Sequence, residues 1–188
     1  MKMNKITRDR FFIVTGGPGM GKTAVITALG EQGYAIVPET GRDIIRQQVA
    51  AGGQALPWAD REAFAWLMFE QSLRDYRMQP DGNGFVFFDR GIADTIGYLE
   101  LCGLPVPQEM YRAAASYRFN ETVFITPPWL SIYEQDKERK QSFEEAVLTY
   151  ESMVKVYSRL EYRLVQLPET TVQERAAFML DTISRWGK

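Results

Sequence analysis

Short apolar runs alternate along the chain with longer amphipathic stretches, and this alternation predicts strands that are each followed by a helix. The predicted strands, one to five in chain order, lie at 10–15, 34–37, 85–88, 122–125 and 163–167. The predicted helices lie at 23–29, 42–51, 60–79, 92–101, 108–117, 142–161 and 171–186. Such alternation is typical of a three-layer α/β/α sandwich around a parallel sheet of about five strands. No repeat, low-complexity tract or linker divides the chain, so one domain spanning 1–188 is predicted.

A glycine-rich turn joins strand one to the first helix. Gly16 is followed by four residues and then by Gly21-Lys22-Thr23, which fits the phosphate-loop (Walker A) pattern without a mismatch. In this pattern backbone N–H groups surround the phosphates of a nucleotide, Lys22 reaches the β- and γ-phosphates, and the hydroxyl of Thr23 binds Mg²⁺. An ordinary glycine-rich turn is the alternative, but the position between a strand and a helix favours the phosphate loop. The predicted nucleotide-binding residues are Gly16, Gly17, Pro18, Gly19, Met20, Gly21, Lys22, Thr23 and Ala24.

Composition restricts the chemistry that the chain can perform. The 188 residues include no histidine and one cysteine, Cys102, which excludes Ser-His and Cys-His triads, imidazole metal sites and intrachain disulfides. Lys and Arg number 22 against 24 for Asp and Glu, and the net charge of −2 argues against a nucleic-acid partner. No apolar run approaches about 18 residues, so no membrane span is predicted and a cytoplasmic enzyme is expected. Catalysis must then use carboxylates, Lys, Arg and a bound metal.

Charged residues stand at the carboxyl ends of two predicted strands, where open α/β sheets bind their ligands. Asp89 follows the four apolar residues of strand three, as a Walker B acid that holds Mg²⁺ does, although a turn residue at a strand end would look the same. Arg90 is expected to bind a phosphate or hydroxyl of an acceptor, or else to form a surface salt bridge. Glu39, after strand two, is predicted to be the general base for the acceptor hydroxyl, or an acid favoured by a helix N-terminus.

Two further groups of residues have a function that the sequence leaves open. The charge run at 133–141 includes Lys137, Arg139 and Lys140, and we expect a lid at about 133–142 in which Arg139 closes over the γ-phosphate; a solvated face is the alternative. An aromatic cluster either packs in the core or lines the site of a flat acceptor ring; its members are Trp58, Phe64, Trp66, Phe69 and Tyr76. No role is predicted for Asp94.

Three short motifs beyond the phosphate loop resemble the NadR-like (ribosylnicotinamide kinase-like) family of P-loop kinases and predicted ATPases. These are Pro38-Glu39-Thr40-Gly41-Arg42, Phe88-Asp89-Arg90-Gly91 and Asp136-Lys137-Glu138-Arg139. The resemblance extends over nearly the whole chain and implies a strand order of 2-3-1-4-5. It also implies a nucleotide and magnesium site at Lys22, Thr23 and Asp89, an acceptor site at Glu39 and Arg90, and a lid at Arg139. The acceptor side departs from deoxynucleoside kinases, because Asp89-Arg90-Gly91 replaces their Glu-Arg-Ser and no residue identifies a base or ribose.

Two functions are compatible with these residues. The first is an ATP- and Mg²⁺-dependent kinase that phosphorylates a small hydroxyl-bearing acceptor, such as a nucleoside or a nucleotide precursor. The second is an ATPase or GTPase module that acts as a regulatory switch without a small-molecule acceptor. A conventional G protein is disfavoured, since Thr126-Pro127-Pro128-Trp129 stands after strand four in place of the guanine-reading motif. The acceptor, the preference for ATP or GTP and the oligomeric state, including a homodimer, are left open by the sequence.

Overall fold

The computed structural model describes residues 5–133 and 142–186. This part of the chain contains seven strands, β1 (Ile6–Thr7), β2 (Phe11–Gly16), β3 (Ala35–Val37), β4 (Val86–Asp89), β5 (Tyr117–Arg118), β6 (Thr122–Thr126) and β7 (Arg163–Gln166). Seven α-helices accompany them, α1 (Lys22–Glu31), α2 (Thr40–Ala51), α3 (Arg61–Met78), α4 (Ile92–Leu101), α5 (Gln108–Ser116), α6 (Phe143–Arg159) and α7 (Val172–Trp186). A single 3₁₀ turn, Leu130–Ile132, follows β6 in these residues.

Five of the strands form a parallel sheet in the order β3-β4-β2-β6-β7. Numbered as the five strands predicted from the sequence, this order is 2-3-1-4-5, so the implied topology is confirmed. β2 is the middle strand and is buried along its whole length. The apolar strand β4 pairs with a neighbour on each side, as its composition predicts. The carboxyl ends of β2, β3 and β4 therefore meet at one edge of the sheet.

The sheet is covered by helices on both faces, which makes the three layers that the sequence predicts. Alternate residues of β2 point to opposite faces, because side chains alternate along a strand. Phe12 and Val14 pack with α1 and α7, whereas Phe11 and Ile13 pack with α3, α4, α5 and α6. None of the helices in the described residues is both long and apolar enough to cross a membrane.

The helix starts follow local sequence signals. Asp60 caps α3 by accepting a hydrogen bond from the N–H of Ala63, at 2.9 Å. Ser142 and Glu145 exchange backbone and side-chain hydrogen bonds at the start of α6, which is the geometry of a capping box. Thr171 and Glu174 do the same before α7.

A second, two-stranded sheet was not expected from the sequence. β1 pairs with β5 in parallel, with Ile6 opposite Tyr117. Strands of two residues contain no periodicity that could predict them. The hydroxyl of Tyr76, from α3, lies 3.2 Å from the carbonyl oxygen of Ile6 and 2.8 Å from that of Arg118, and so joins α3 to both strands of this small sheet.

Candidate functional site

The glycine-rich turn lies between β2 and α1, and two of its positions illustrate why the conformation needs glycine. Gly21, directly before α1, has a φ of +74°, in the left-handed region that glycine adopts at little cost. A Cβ on Gly17 would lie 2.3 Å from the carbonyl oxygen of Ala146, so α6 packs directly against the loop backbone. With α1 starting at Lys22, the positive end of a helix dipole faces the loop, as in anion-binding sites at helix N-termini.

Lys22 is almost fully buried, with 4% of its surface exposed, although it is a charged residue. Its Nζ donates a hydrogen bond to the carbonyl oxygen of Gly17, so the side chain folds back over the loop. A lysine is rarely buried without anionic or carbonyl partners. Lys22 therefore places a positive charge where the loop surrounds its ligand.

Thr23 and Asp89 are brought together from different elements. Asp89 ends β4, which pairs with β2 so that Asp89 lies opposite Val14. The Thr23 hydroxyl donates to Asp89 Oδ2 at 2.8 Å. The other carboxylate oxygen, Oδ1, is buried and has no hydrogen-bond partner among the described residues. Burial raises the pKa of Asp89 and the neighbouring charge of Glu39 raises it further, while Lys22 and Arg90 lower it.

These two side chains fit a magnesium site. A hydroxyl and a carboxylate are hard oxygen donors, and the unpartnered Oδ1 of Asp89 has the capacity to bind a cation. In the described residues no cluster of three or more acidic, histidine or cysteine side chains could hold a metal by itself. The usual magnesium sites of nucleotide enzymes do not need such a cluster, because phosphates and water complete the one or two protein groups.

Arg90 lies at the centre of a buried network rather than at the surface. Its Nε donates to Glu39 Oε1 at 3.1 Å, and its Nη1 donates to the carbonyl oxygen of Gly16 at 3.1 Å and to Asp94 Oδ1 at 3.0 Å. Arg90 does form salt bridges, but with little exposure to solvent: its side chain is 18% exposed and that of Glu39 only 8%. Although burial alone would lower it, Glu39 and Asp94 raise the pKa of Arg90 above its ordinary value.

Asp94, for which the sequence predicts no role, organises the same network. Its Oδ1 accepts hydrogen bonds from Thr15 Oγ1 at 2.6 Å and from Arg90, and its Oδ2 accepts from Gly91 N at 2.9 Å and from Tyr157 Oη at 2.5 Å. Burial and the nearby Asp94 raise the pKa of Tyr157 well above its ordinary value, so its hydroxyl stays protonated. The sequence shows only an acidic residue in the first turn of α4. Two of its partners, Thr15 and Tyr157, come from the distant elements β2 and α6.

A cavity of about 490 Å³ opens between this network and helices α3, α4 and α6. Its polar lining next to the phosphate loop includes Glu39, Asp89, Arg90 and Asp94. The opposite wall is largely apolar, with the side chains of Trp58, Phe64, Met68, Tyr98, Leu148 and Met153. The volume lies in the range of small-molecule sites, about 300 to 1,000 Å³.

The aromatic cluster divides between the two interpretations that the sequence left open. Trp58, 62% exposed, and the buried Phe64 line the cavity. Phe69 and Tyr76 are buried in the core below the sheet, and Trp66 packs on Phe69 with ring centroids 5.6 Å apart. Arg139 and the predicted lid lie outside the described residues, apart from Tyr133 and Ser142 at its ends.

The strand order and the loop between a central strand and a helix define the P-loop fold of nucleoside and nucleotide kinases. Residues 11–175 match the model of a family described as an AAA domain. The chain belongs to this family. The match includes the phosphate loop, Glu39 and the Asp89-Arg90 pair.

Solved structures with the same fold include proteins of different activities. The NadR protein, solved in complex with NR, has a TM-score of 0.69 at 18% identity, covering 98% of this chain and 52% of the NadR chain. Deoxyadenosine kinase from M. mycoides has a TM-score of 0.63 at 9% identity, covering 93% and 99% of the two chains. Thymidylate kinase from Ehrlichia chaffeensis has a TM-score of 0.63 at 12% identity, covering 94% and 98%.

The chain spans about half the length of the NadR protein. At these identities the likeness is one of fold, and at that level the resemblance to NadR-like kinases is confirmed. None of the curated proteins matches the sequence.

Proposed function

We propose that the chain is an ATP- and Mg²⁺-dependent phosphotransferase that phosphorylates a hydroxyl group of a small acceptor. The observation that carries this proposal is the cavity of about 490 Å³ that adjoins the phosphate loop at Pro18 and contains Glu39 and Asp89. A nucleotide switch needs a phosphate site and a partner surface, whereas a kinase needs a second, partly enclosed site next to the γ-phosphate. The cavity supplies space of that kind.

The nucleotide site is assigned to residues 16–24, with Lys22 contacting the β- and γ-phosphates. Thr23 and Asp89 would hold Mg²⁺, which when bound would neutralise negative charge on the phosphates. The Thr23 hydroxyl and the Asp89 carboxylate are already 2.8 Å apart, so their positions are set by the fold. Phosphoryl transfer depends mainly on such positioning and on charge neutralisation.

Glu39 is assigned to the acceptor hydroxyl, as the group that orients it and accepts its proton. Its carboxylate lines the cavity, and Arg90 Nε fixes its orientation through Oε1. Arg90 in turn is bound to the Gly16 carbonyl at the start of the phosphate loop. Arg90 therefore acts by positioning Glu39 relative to the loop, which replaces the direct grip on an acceptor that its sequence position suggested.

The charge of the cavity favours an uncharged or cationic acceptor. Its described lining carries five carboxylates, Glu39, Asp75, Asp89, Asp94 and Glu145, against two guanidinium groups, Arg61 and Arg90. The Arg90 guanidinium is already bonded to Glu39 and Asp94. An acceptor with a phosphate group would meet this excess of negative charge, so a nucleoside-like acceptor fits better than a nucleotide.

The test is a ³¹P-monitored panel of nucleosides, nucleotides and sugars with Mg·ATP and with Mg·GTP. A new phosphomonoester formed from an uncharged or cationic acceptor is the expected result. Release of free phosphate that is independent of every acceptor would contradict the kinase. It would support the second candidate, an ATPase or GTPase switch, which the match to a family described as an AAA domain favours.

A further inference from the structure

A buried arginine lies against the outside of the phosphate loop. Arg175, in the first turn of α7, is 2% exposed and is among the largest fully buried side chains of the described residues. Its Nη2 donates to the carbonyl oxygen of Met20 at 3.3 Å. Its Nη1 lies 2.8 Å from the point that a Cβ on Gly21 would occupy. The guanidinium thus packs on the turn that leads into α1.

The surroundings of Arg175 do not explain why a cation is buried there. Among the described residues no carboxylate forms an ion pair with it, and its Nε has no hydrogen-bond partner. Glu174, the adjacent acid, bonds instead to Thr170 and Thr171. The first turn of a helix is also a place where positive charge is unfavourable. Burial, which removes water from the guanidinium, lowers the pKa of Arg175.

The bond to Met20 has a consequence for the inner side of the loop. In a trans peptide the C=O and N–H groups point in opposite directions. Since Arg175 holds the Met20 carbonyl on the outer side, the N–H of Gly21 in the same peptide unit points to the inner side, where the loop would bind phosphates. A polyphosphate there would also offset the charge of Arg175 through a single layer of backbone.

We propose that Arg175 is a positioning residue of the nucleotide site: it fixes the Met20–Gly21 peptide so that its N–H faces the polyphosphate, and the bound anion offsets a buried charge that no carboxylate of the described residues balances. This inference rests on the proposed nucleotide site. It adds a residue of the last helix, some 150 positions beyond the loop, to the determinants of nucleotide affinity.

Replacement of Arg175 by an apolar side chain separates this role from a structural one. Arg175→Met removes the charge but keeps an unbranched chain that fills the same space. A buried cation that forms no ion pair can be replaced by an apolar residue without loss of stability. The thermal unfolding midpoint without nucleotide should therefore stay unchanged or rise. The Kd for ADP should rise about ten-fold, which corresponds to about 1.4 kcal/mol.

The experiment measures ADP affinity by titration calorimetry and the unfolding midpoint by differential scanning calorimetry on the whole chain. Arg185→Met is the matched control, since Arg185 is an exposed arginine on the same helix and its loss changes the net charge equally. The control should bind ADP as the wild type does. An unchanged Kd in Arg175→Met, or a loss of the same size in Arg185→Met, would overturn the inference.

Two further outcomes have defined meanings. If the wild type itself binds no ADP, the proposed nucleotide site is wrong, and the role of Arg175 is wrong with it. If the wild type binds ADP and Arg175→Met binds it equally well, only the role of Arg175 is wrong. If Arg175→Met does not fold, Arg175→Lys decides, because it retains the charge and a donor for Met20. Affinity within about three-fold of the wild type would then support the role, and a ten-fold loss would overturn it.

Discussion

At the scale of single residues, replacement of Glu39 should distinguish a role in catalysis from a role in nucleotide binding. Glu39→Gln keeps the shape of the side chain and an oxygen that can accept from Arg90 Nε, but it removes the group that accepts a proton. We expect the rate of phosphoryl transfer to fall on the order of 10²- to 10⁴-fold, the usual contribution of a general base. The Kd for ADP should stay within the error of the wild type. An equal loss of ADP affinity would assign Glu39 a structural role, and Glu31→Gln, at an exposed site on α1, is the control.

Replacement of Asp89 by asparagine should raise the stability of the protein but weaken the binding of Mg·ADP. Because burial and Glu39 raise its pKa in the folded protein, the folded state binds the Asp89 proton more tightly than the unfolded chain. The free energy of unfolding contributed by Asp89 therefore falls as the pH rises from about 3.9, the ordinary pKa of an aspartate, through the raised pKa. Asp89→Asn removes this loss of unfolding free energy, which amounts to about 1.4 kcal/mol for each unit by which folding raises the pKa of Asp89.

The Asp89→Asn variant should accordingly unfold at a higher temperature than the wild type at neutral pH, and the difference should vanish in acid. It should also lose the stabilisation by Mg·ADP that a binding-competent protein gains through mass action. Thermal unfolding between pH 4 and pH 8, with and without Mg·ADP, measures both effects. A lower midpoint at neutral pH would show that the Thr23 hydrogen bond outweighs the buried charge.

At the scale of elements, Asp94 joins three of them. It sits on α4, and its carboxylate accepts from Thr15 on β2 and from Tyr157 on α6 as well as from Arg90. Asp94→Asn would leave an amide N–H₂ facing donors, so we expect the free energy of unfolding to fall by about 3 kcal/mol. Urea denaturation measures this change.

Two further variants provide reference values for the loss of unfolding free energy in Asp94→Asn. Tyr157→Phe removes one donor to the same carboxylate and should destabilise by about 1 kcal/mol. Asp181→Asn changes an exposed aspartate of α7 and should stay within about 0.5 kcal/mol of the wild type. If Asp94→Asn were as mild as Asp181→Asn, the network would not hold the three elements together.

At the scale of the whole molecule, the distribution of charge around the cavity predicts which acceptors are used. The five lining carboxylates should repel an acceptor that carries a phosphate. For a matched pair of acceptors that differ by one phosphate away from the reacting hydroxyl, we expect kcat/KM to be on the order of 10²-fold lower for the phosphorylated one. This corresponds to about 2.7 kcal/mol. A higher kcat/KM for the phosphorylated acceptor would contradict the assignment.

The sequence predicts the fold and the nucleotide side of the site because their signals are local. The phosphate loop is a contiguous pattern, and Asp89 follows an apolar strand that must lie inside the sheet. Asp94 and its partner Tyr157 could not be found in this way, since they are 63 residues apart and meet only when α4 packs on α6. The sequence indicates the burial of Arg175 only weakly, because it shows a charged residue beside the apolar face of α7.

The backbone at Arg90 has a φ of 78°, a left-handed conformation that is strained for any residue with a side chain. The Arg90 side chain is held there by its bonds to Glu39, Asp94 and Gly16. An alanine at this position would keep the strain and lose all three bonds, so the alanine variant measures the loss of the guanidinium bonds alone. Glycine would lose the same bonds but relax the main chain, so the difference between the glycine and alanine variants measures the cost of the left-handed backbone at the end of β4.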